Sequence, residues 1–550
     1  MVMEKPLDKL LEKQPLENGT CKPKSKRAPL FHPLSRRFHM ILLLIFGFGC
    51  TTFMRVHMAI TMTCMVNSTA VALIEEQMYG DRQTTWVPEE NWLNVTTTAV
   101  PLHSTHSTST QCDQVTDDGH HIVVDYGGSL PWTHQQQNFV FSGTFWGALF
   151  VALPAMKIVQ EGSPKIVLMV AMMIYVSSSV ITPFIANNLG VFPTWCVRVA
   201  MGFGEGVVIP TINAIISNWF PTEERSTALA LFTTGNQIAG AAGQPAAAAL
   251  CASSFGWPAI FYTCTIMGTI WIVLWFVGAA SRPSDCKVMT TREREYLTGK
   301  VVTPPKKKVQ APYRAIFMSA PFWAQLQSHF VINMMMSLLQ IYLPSYLKDV
   351  LRLPVVTNGA FIALPNACQI LAKIAWGMFM DYTKAKKILT PTSCVKLSQG
   401  IANFGGSVIF VCVCVFIDCS NPGTALFLFC LMYCCLSTFT SGFYTSLLSL
   451  APRYTATLSS FSQFAAMTGR LCTPFVVGLV KKTGSENEWE ALFYLMAAVS
   501  TISGLIFVIF GSGDVQDWGK DDPEAPATVH IPLVETTKST LDLNVEVDLE

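Results

Sequence analysis

The sequence predicts an all-α membrane protein whose twelve transmembrane helices form two six-helix bundles. Of its 550 residues 51% are hydrophobic and 13% are charged, about half the charged share of a typical soluble domain. Charge-free runs recur along the chain, and one of them extends from 226 to 281. Because a bilayer core needs roughly 20 apolar residues per helix, runs of this length can cross it. A water-soluble fold is therefore disfavoured.

Apolar windows predict six spans in each half of the chain. The run 226–281 contains two of them, separated at 253–258, where turn-forming residues cluster. The twelve windows are 38–65, 139–158, 166–187, 192–219, 227–252, 257–279, 316–347, 355–380, 397–417, 424–450, 454–480 and 491–511. They divide the chain into a basic tail (1–37), a first bundle (38–280) with a long loop (66–137), a basic linker (281–314), a second bundle (315–512) and an acidic tail (513–550).

The charges outside these windows predict the orientation. The tail 1–37 has nine Lys or Arg against four acids, and the stretch 282–314 has nine against three. The loop 66–137 has nine acids and a single Arg. Since basic loops stay in the cytosol, both termini and the linker are predicted to be cytosolic. The loop would then be lumenal or external, where its two sequons, at Asn67 and Asn94, are predicted to be glycosylated.

A few charged side chains lie inside the windows, where each needs a partner or a water-filled cavity. Arg55 is in the first window, and Arg198 and Glu205 are in the fourth. Arg198 and Glu205 are seven residues apart, so they share a helix face but are separated by about 10.5 Å along the axis. They are therefore predicted to face the interior without pairing with each other.

These residue types indicate their roles. A guanidinium binds a carboxylate or phosphate through two parallel hydrogen bonds, and a partly desolvated Glu can exchange a proton. We interpret Arg55 and Arg198 as anion-binding and Glu205 as the coupling residue; the alternative is an ion-pair network that holds helices or gates. Other polar groups in the windows are predicted to be structural or simply partnered: Lys373, Asp381 and Arg470, which we place nearer span ends, and His57 and His329.

The other features argue against different functional classes. Most of the 17 Cys lie inside apolar runs, where Cys packs as a small hydrophobic side chain, and none has zinc-type spacing. The net charge is +1, which indicates no nucleic-acid partner. With no nucleophile elbow or phosphate loop either, an enzyme is not expected.

Several motifs carry a family resemblance. The most specific is Arg198-x-x-x-Gly202-x-x-Glu205-Gly206-x-x-x-Pro210, followed by Trp219-x-Pro221-x-x-Glu224-Arg225-Ser226. Further matches are Phe145-Trp146-Gly147, Gly256-Trp257, Ser441-Gly442-Phe443, Ala451-Pro452-Arg453-Tyr454 and Gln516-x-Trp518. From about 37 to 518 the chain resembles the anion:cation symporters of the major facilitator superfamily (solute carrier family 17), which include vesicular glutamate transporters, sialin and type I sodium-phosphate cotransporters.

Departures from the family pattern bear on the substrate. The glutamate transporters have His, His and Arg at positions that hold Phe141, Asn213 and Ile332 here, which argues against vesicular glutamate transport. A nearly general Asp is replaced by Ser449. Arg55 matches the first-helix Arg of the glutamate transporters and sialin, whereas phosphate-type members have an uncharged residue there. The resemblance therefore favours an organic anion with a carboxylate.

Together these observations predict a secondary active transporter that moves a small organic anion by alternating access. Coupling to H⁺, Na⁺ or the membrane potential is expected, with no bound cofactor and a monomeric transport unit. Its location would be the plasma membrane or a vesicular or lysosomal membrane. The alternatives are an inorganic phosphate/sodium symporter of the same fold, and a non-transporting receptor or scaffold that kept the fold.

Overall fold

The protein is mostly helical in a computed structural model that describes residues 32–33, 35–79, 86–88, 121–123, 125–286, 289–297, 312–417, 419–451, 454–481 and 486–520. The first half comprises α1 (Arg36–Val56), α2 (Met58–Met65), α3 (Ser68–Tyr79), β1 (Trp86–Pro88), β2 (His121–Val123), α4 (His134–Ala152), α5 (Ala155–Glu161), α6 (Pro164–Asn188), α7 (Val191–Trp219), α8 (Thr222–Ile238), a π-helical turn (Ala239–Gly243), α9 (Gln244–Cys251) and α10 (Pro258–Gly278). The two short strands pair in parallel.

A linker and the second half follow. They comprise a 3₁₀ turn (Pro283–Asp285), α11 (Thr291–Leu297), α12 (Tyr313–Phe317), α13 (Ala320–Asp349), α14 (Val355–Ala385), α15 (Pro391–Gly400), a π-helical turn (Ile401–Gly405), α16 (Gly406–Phe416), α17 (Pro422–Ser437), a 3₁₀ turn (Thr438–Thr440), α18 (Phe443–Leu450), α19 (Thr455–Val480), α20 (Glu486–Phe510) and a last 3₁₀ turn (Asp517–Gly519).

Ten helical segments of the described chain are long and apolar enough to cross a membrane. The other two predicted windows correspond to α4 and to the α8–α9 segment, which are helical but more polar. The helix α4 begins with His134 and three Gln, and the α8–α9 segment contains Asn236, Gln237 and Gln244. Both segments pack against the second half, α4 on α19 and α9 on α14. Asn138 of α4 and Asn236 and Gln244 of the α8–α9 segment thus lie at a seam between halves, where less lipid contact is required.

Glycines allow close packing inside the first half. The helices α4 and α7 cross at Gly147 and Gly202, whose backbones touch. A Cβ at Gly147 would collide with the Val199 carbonyl oxygen, and one at Gly202 with that of Thr144. Such contact between helix backbones is typical of membrane helices, which associate through small residues. It positions the charged face of α7 against its neighbours.

The two ends of the helix bundle differ in how the halves meet. We call the end where α2 and α13 finish the loop end, and the end where α1 begins and α10 finishes the linker end. At the loop end Tyr342 donates to Asn138 Oδ1 at 2.8 Å, and the Tyr126 hydroxyl donates to the Leu353 carbonyl oxygen. The helices α2 and α13 also pack together there. These contacts close the loop end.

A disulfide between Cys64 and Cys251 joins the ends of α2 and α9 at the loop end, with Cα atoms 6.4 Å apart. Cys419, in the turn before α17 at the same end, is also disulfide-bonded. The sequence interpretation treated most cysteines as small hydrophobic residues and did not find this link. The disulfide holds the first and fifth spans together.

The linker helix α11 is attached to the first half through Glu293. Its carboxylate accepts hydrogen bonds from the Ser35 hydroxyl at 2.8 Å, from the Arg36 N–H at 2.9 Å and from Arg37 Nε at 3.0 Å. Arg37 is fully buried and also pairs with Glu224 at the start of α8. Glu293 therefore supplies the N-terminal cap that Ser35 does not provide for α1, and it neutralises part of the Arg37 charge.

These contacts set the ionisation of Glu293. Burial alone would raise the pKa of this carboxyl, but the hydrogen bonds from Arg36, Ser35 and Arg37 outweigh burial and hold the pKa below its ordinary value. A depressed carboxyl pKa contributes stability above the ordinary Glu value of about 4.3, and this contribution is lost as the pH falls through the folded-state pKa. The attachment of the linker is therefore complete at neutral pH.

We predict that Glu293→Ala lowers the midpoint of thermal unfolding by several degrees, because it removes one partner of a buried charged pair. Glu295→Ala, an exposed carboxylate on the same helix, is the matched control and should unfold like the wild type. Intrinsic fluorescence of the purified protein at pH 7.5 measures both midpoints. Equal midpoints for the two variants would contradict the role of Glu293.

Candidate functional site

Glu205, near the middle of α7, is the centre of a charged cluster. The Tyr175 hydroxyl of α6 donates to one carboxylate oxygen, Oε2. The other oxygen, Oε1, lies 3.5 Å from Arg55 Nε of α1 and 3.5 Å from Arg470 Nη1 of α19. Since α19 belongs to the second half, this carboxylate forms an ion pair between halves.

The position of Arg470 corrects the sequence interpretation, which placed it nearer a span end. It lies near the middle of α19, and its Nε donates to Asn333 Oδ1 of α13 at 2.9 Å. The predicted span 454–480 already has Arg470 near its centre. This position alone could have indicated that Arg470 belongs to the charged site. Arg470 belongs to the same cluster as Glu205.

Arg198 lies beside this cluster but does not bind Glu205. Its side chain is buried, with Nη2 3.4 Å from the Arg55 carbonyl oxygen and Nη1 3.4 Å from Met201 Sδ. Its Nε is buried without a hydrogen-bond partner. The separation expected from the seven-residue spacing is thus observed, and Arg198 keeps a free donor beside two weak acceptors.

A narrow cavity of about 10 Å³, room for about one water molecule in this conformation, adjoins the two arginines. Its walls come from both halves and are formed by Arg55, Val56, Met58, Ala59, Phe141, Thr144, Phe145, Arg198, Ser337, Gln340 and Ile341. Three polar atoms of these residues, Arg198 Nε, Thr144 Oγ1 and Ser337 Oγ, are buried without a hydrogen-bond partner, and Arg55 Nε has only its ion pair with Glu205. Because buried polar groups are normally paired, these atoms indicate a place for a ligand.

The charges of the cluster favour an anionic ligand. Three guanidinium groups, those of Arg55, Arg198 and Arg470, surround one carboxylate, that of Glu205. These four residues have a net charge of +2 inside the membrane-spanning region, where uncompensated charge is costly. An anion in the cavity would offset this excess, and guanidinium groups offer paired donors suited to carboxylate or phosphate.

A second narrow cavity, also of about 10 Å³, adjoins the first and shares Val56 and Gln340 with it. Its other walls are Thr52, Asn236, Gly240, Gln244, Ile362, Asn366 and Tyr433, from α1, the fifth span, α14 and α17. Its polar groups are all uncharged, and Gln244 Oε1 is buried without a partner. The space between the halves thus continues along the seam between the fifth span and α14.

The remaining predicted positions have ordinary surroundings. His57 Nδ1 lies 3.1 Å from Thr61 Oγ1 and His329 Nδ1 lies 2.6 Å from Ser462 Oγ, so both are partnered, as predicted. Ser449 donates to the Thr445 carbonyl oxygen within α18. The Asn67 carboxamide accepts from the Ala70 N–H at 2.7 Å and caps α3, whereas Asn94 lies outside the described residues.

The positions that distinguish the glutamate transporters have no charge here. Phe141 lines the first cavity and packs edge-on against Tyr342. Ile332 lies in the hydrophobic core, and Asn213 Oδ1 is buried without a partner. The charged groups of the site are therefore its three arginines and one glutamate. The additional His and Arg side chains of the glutamate transporters are absent from these three positions.

Comparisons with known proteins agree with this geometry. The family described as Major Facilitator Superfamily matches residues 91–397. The chain is 49% identical to the Uncharacterized transporter slc-17.3 of Caenorhabditis elegans, covering 91% of this chain and 93% of that protein. It is 26% identical to human Sialin, covering 93% and 95%, and 27% identical to a Putative inorganic phosphate cotransporter of Drosophila melanogaster, covering 89% and 88%.

The fold also matches solved structures. A crystal structure of a D-xylose-proton symporter aligns with a TM-score of 0.60 at 12% identity, over 88% of this chain and all of that one. The predicted fold of two six-helix bundles is confirmed, and so is the prediction of a transporter rather than an enzyme. The chain belongs to the major facilitator superfamily of transporters and, within it, to the anion:cation symporters of solute carrier family 17.

Proposed function

We propose that this transporter carries a small organic anion whose carboxylate is bound by Arg55 and Arg198 in the first cavity. The observation that supports this most is the buried Nε donor of Arg198, which has no hydrogen-bond partner beside a cavity between the halves. The names of the relatives, Sialin and a phosphate cotransporter, also belong to carriers of anions.

Inorganic phosphate is the second candidate, because the Drosophila relative is named a putative phosphate cotransporter and guanidinium groups bind phosphate equally well. The apolar walls of the first cavity, Val56, Phe145 and Ile341 among them, favour an organic body over a bare oxyanion. Uptake of labelled acetate, lactate, gluconate, aspartate and phosphate into proteoliposomes under an imposed pH or voltage gradient would separate the two candidates.

Glu205 is the proposed coupling residue. When ionised it attracts Arg55 and Arg470 and so joins the halves. Protonation would remove this attraction, free both guanidinium groups and permit the halves to separate. We therefore propose H⁺ as the coupling ion, with Na⁺ or the membrane potential as alternatives that the transport assay distinguishes.

We also propose that both termini face the cytosol and that the loop end faces the lumen or the outside of the cell. The charges of the tail, linker and loop support this orientation. The disulfide between Cys64 and Cys251, together with bonded Cys419, supports it independently, because disulfides persist in oxidising compartments. Both cavities lie within one chain, which supports a monomeric transport unit in a plasma, vesicular or lysosomal membrane.

For the binding role, we predict that Arg198→Lys lowers uptake at low substrate concentration by about 10- to 100-fold, since it keeps the charge but loses paired hydrogen bonds worth about 1.5–3 kcal/mol. Arg282→Lys, at the surface turn after α10, is the matched control and should transport normally. Surface labelling confirms that each variant reaches the membrane. Normal uptake by Arg198→Ala would remove Arg198 from the site.

For the coupling role, Glu205→Gln is expected to abolish accumulation driven by a pH gradient while exchange of substrate for substrate persists. Because the amide of Gln permanently mimics the protonated carboxyl group, the variant cannot bind and release a proton in each transport cycle. Both modes are measured in the same vesicles. Parallel loss of exchange and accumulation would indicate a structural brace, and unchanged accumulation would rule out coupling by Glu205.

For the topology, the double replacement of Asn67 and Asn94 by Gln should abolish any shift in mass on glycosidase treatment. Each single variant should retain part of the shift if its partner sequon is used. Electrophoresis of the protein from a eukaryotic host gives the answer. A shift that survives the double change would contradict a lumenal or external loop.

A further inference from the structure

Two lysines of the second half, one in the last turn of α13 and one inside α14, contact the first half through neutral oxygens. Lys348 of α13 donates to Ser68 Oγ at 2.6 Å and to the Thr63 carbonyl oxygen at 3.3 Å. Lys373 of α14 donates to Thr233 Oγ1 at 2.8 Å. Within the described ranges neither lysine forms an ion pair. Hydrogen bonds to neutral oxygens therefore stabilise the two ammonium groups, but no carboxylate is paired with either of them within the described ranges.

The acids near Lys348 bind other groups. Asp349 and Asp125 attract the Lys348 ammonium electrostatically. However, Asp349 pairs with Lys481 at 2.6 Å, and Asp125 accepts hydrogen bonds from Thr69 and Gly127. The ammonium of Lys348 also lies 4.6 Å from the centre of the Tyr126 ring, a favourable but neutral contact. Lys348 is thus a buried cation for which an anion would be a better partner.

The two lysines lie on opposite sides of the cavities. Lys348 is seven residues beyond Ile341, which lines the first cavity, and Lys373 is seven residues beyond Asn366, which lines the second. Seven residues correspond to about two turns, which return to the same helix face roughly 10.5 Å further along. The helix α13 runs toward the loop end and α14 toward the linker end. Each lysine therefore continues a cavity face toward a different end of the bundle.

Both lysine–hydroxyl contacts join the two halves. Opening of the loop end would therefore break the contact of Lys348, and opening of the linker end would break that of Lys373. Ser68 and Thr233 belong to the first half, whereas the lysines belong to the second. When the halves separate at one end, the lysine there loses its hydroxyl and faces the water that enters. A carboxylate arriving from that side can then replace the hydroxyl as its partner.

We propose that Lys348 and Lys373 are two further anion contacts, which receive the carboxylate of the substrate on entry from the loop end and from the linker end respectively. This inference depends on the proposed function in one respect: the transported substrate must be an anion. It assigns a positive charge to each access path, in addition to the arginines at the centre. A carboxylate or another small oxyanion is the chemical class that both sites would accept.

One experiment tests the Lys373 charge without any transported substrate. A cysteine placed one turn closer to the cavity, Gln369→Cys, is treated from the linker side with two thiol reagents of similar size. These are anionic sulfonatoethyl and cationic trimethylammonioethyl methanethiosulfonate, and the rates are corrected for the protein without the added cysteine. A local positive charge should make the ratio of anionic to cationic rates roughly 10-fold larger than in the variant that also has Lys373→Gln.

The control is Lys384→Gln, which removes a lysine from the linker end of the same helix, where it pairs with Asp381 at 3.8 Å. It should leave the rate ratio unchanged. A ratio that does not respond to Lys373→Gln, or no modification of Gln369→Cys from the linker side, would overturn the assignment of Lys373 to an access path.

A sided transport assay tests both lysines together. Vesicles are sorted by orientation through protease cleavage of the N-terminal tail, and labelled lactate, gluconate, aspartate and phosphate are presented from each side. Lys348→Gln should raise KM roughly 10-fold from the loop end only, and Lys373→Gln from the linker end only. Equal changes from both sides, or none, would indicate structural lysines. If the wild type transports none of these anions, the proposed substrate class is wrong. The thiol-reagent experiment would still show whether Lys373 places a positive charge on the access path.

Discussion

The carboxylate of Glu205 is the constraint on which the central structure depends. It is the single acidic group among three guanidinium groups, and one of these, Arg470, belongs to the other half. In a low-dielectric interior, each of these charges needs an opposite charge close by. Any movement of the halves must therefore exchange partners within this cluster. In the proposed function, the carboxylate of a bound anion would take the place of Glu205 beside an arginine, and occupancy of the cavity would then be linked to the contact between halves.

The contacts within the first half and the contacts between halves differ in kind. Within the first half, backbones touch at Gly147 and Gly202, a disulfide joins two spans, and Arg37 is held by two carboxylates. Between the halves, α14 packs closely on α9 at Gly359, but the fixed links are individual polar contacts, such as those of Tyr342 with Asn138 and of Lys373 with Thr233. A disulfide and buried ion pairs favour motion of the first half as a rigid body, and single hydrogen bonds can be exchanged for water. This difference suits two bodies that rock about a shared site.

The sequence alone predicted the spans and the buried charges because both are local properties. The length of an apolar run and the cost of a charge inside it can be assessed without knowing the neighbours, so Arg55, Arg198 and Glu205 were identified. The partner of Glu205 on α19 could not be found in that way, because Arg470 is 265 residues away in the chain. The attachment of Glu293 to Arg37 and the pairing of Cys64 with Cys251 also depend on tertiary contacts, and cysteine connectivity does not follow from sequence.

The disulfide between Cys64 and Cys251 also bears on the biosynthesis of the protein. Its two cysteines are 187 residues apart, so the bond cannot form until the fifth span has been made and inserted. At 5–20 residues per second, ribosomal synthesis of this stretch takes roughly 10–40 s. During that interval the first span has no disulfide to the fifth span. Formation of the bond therefore requires that the first and fifth spans already lie side by side, so a chain with this bond is one in which those two spans have met.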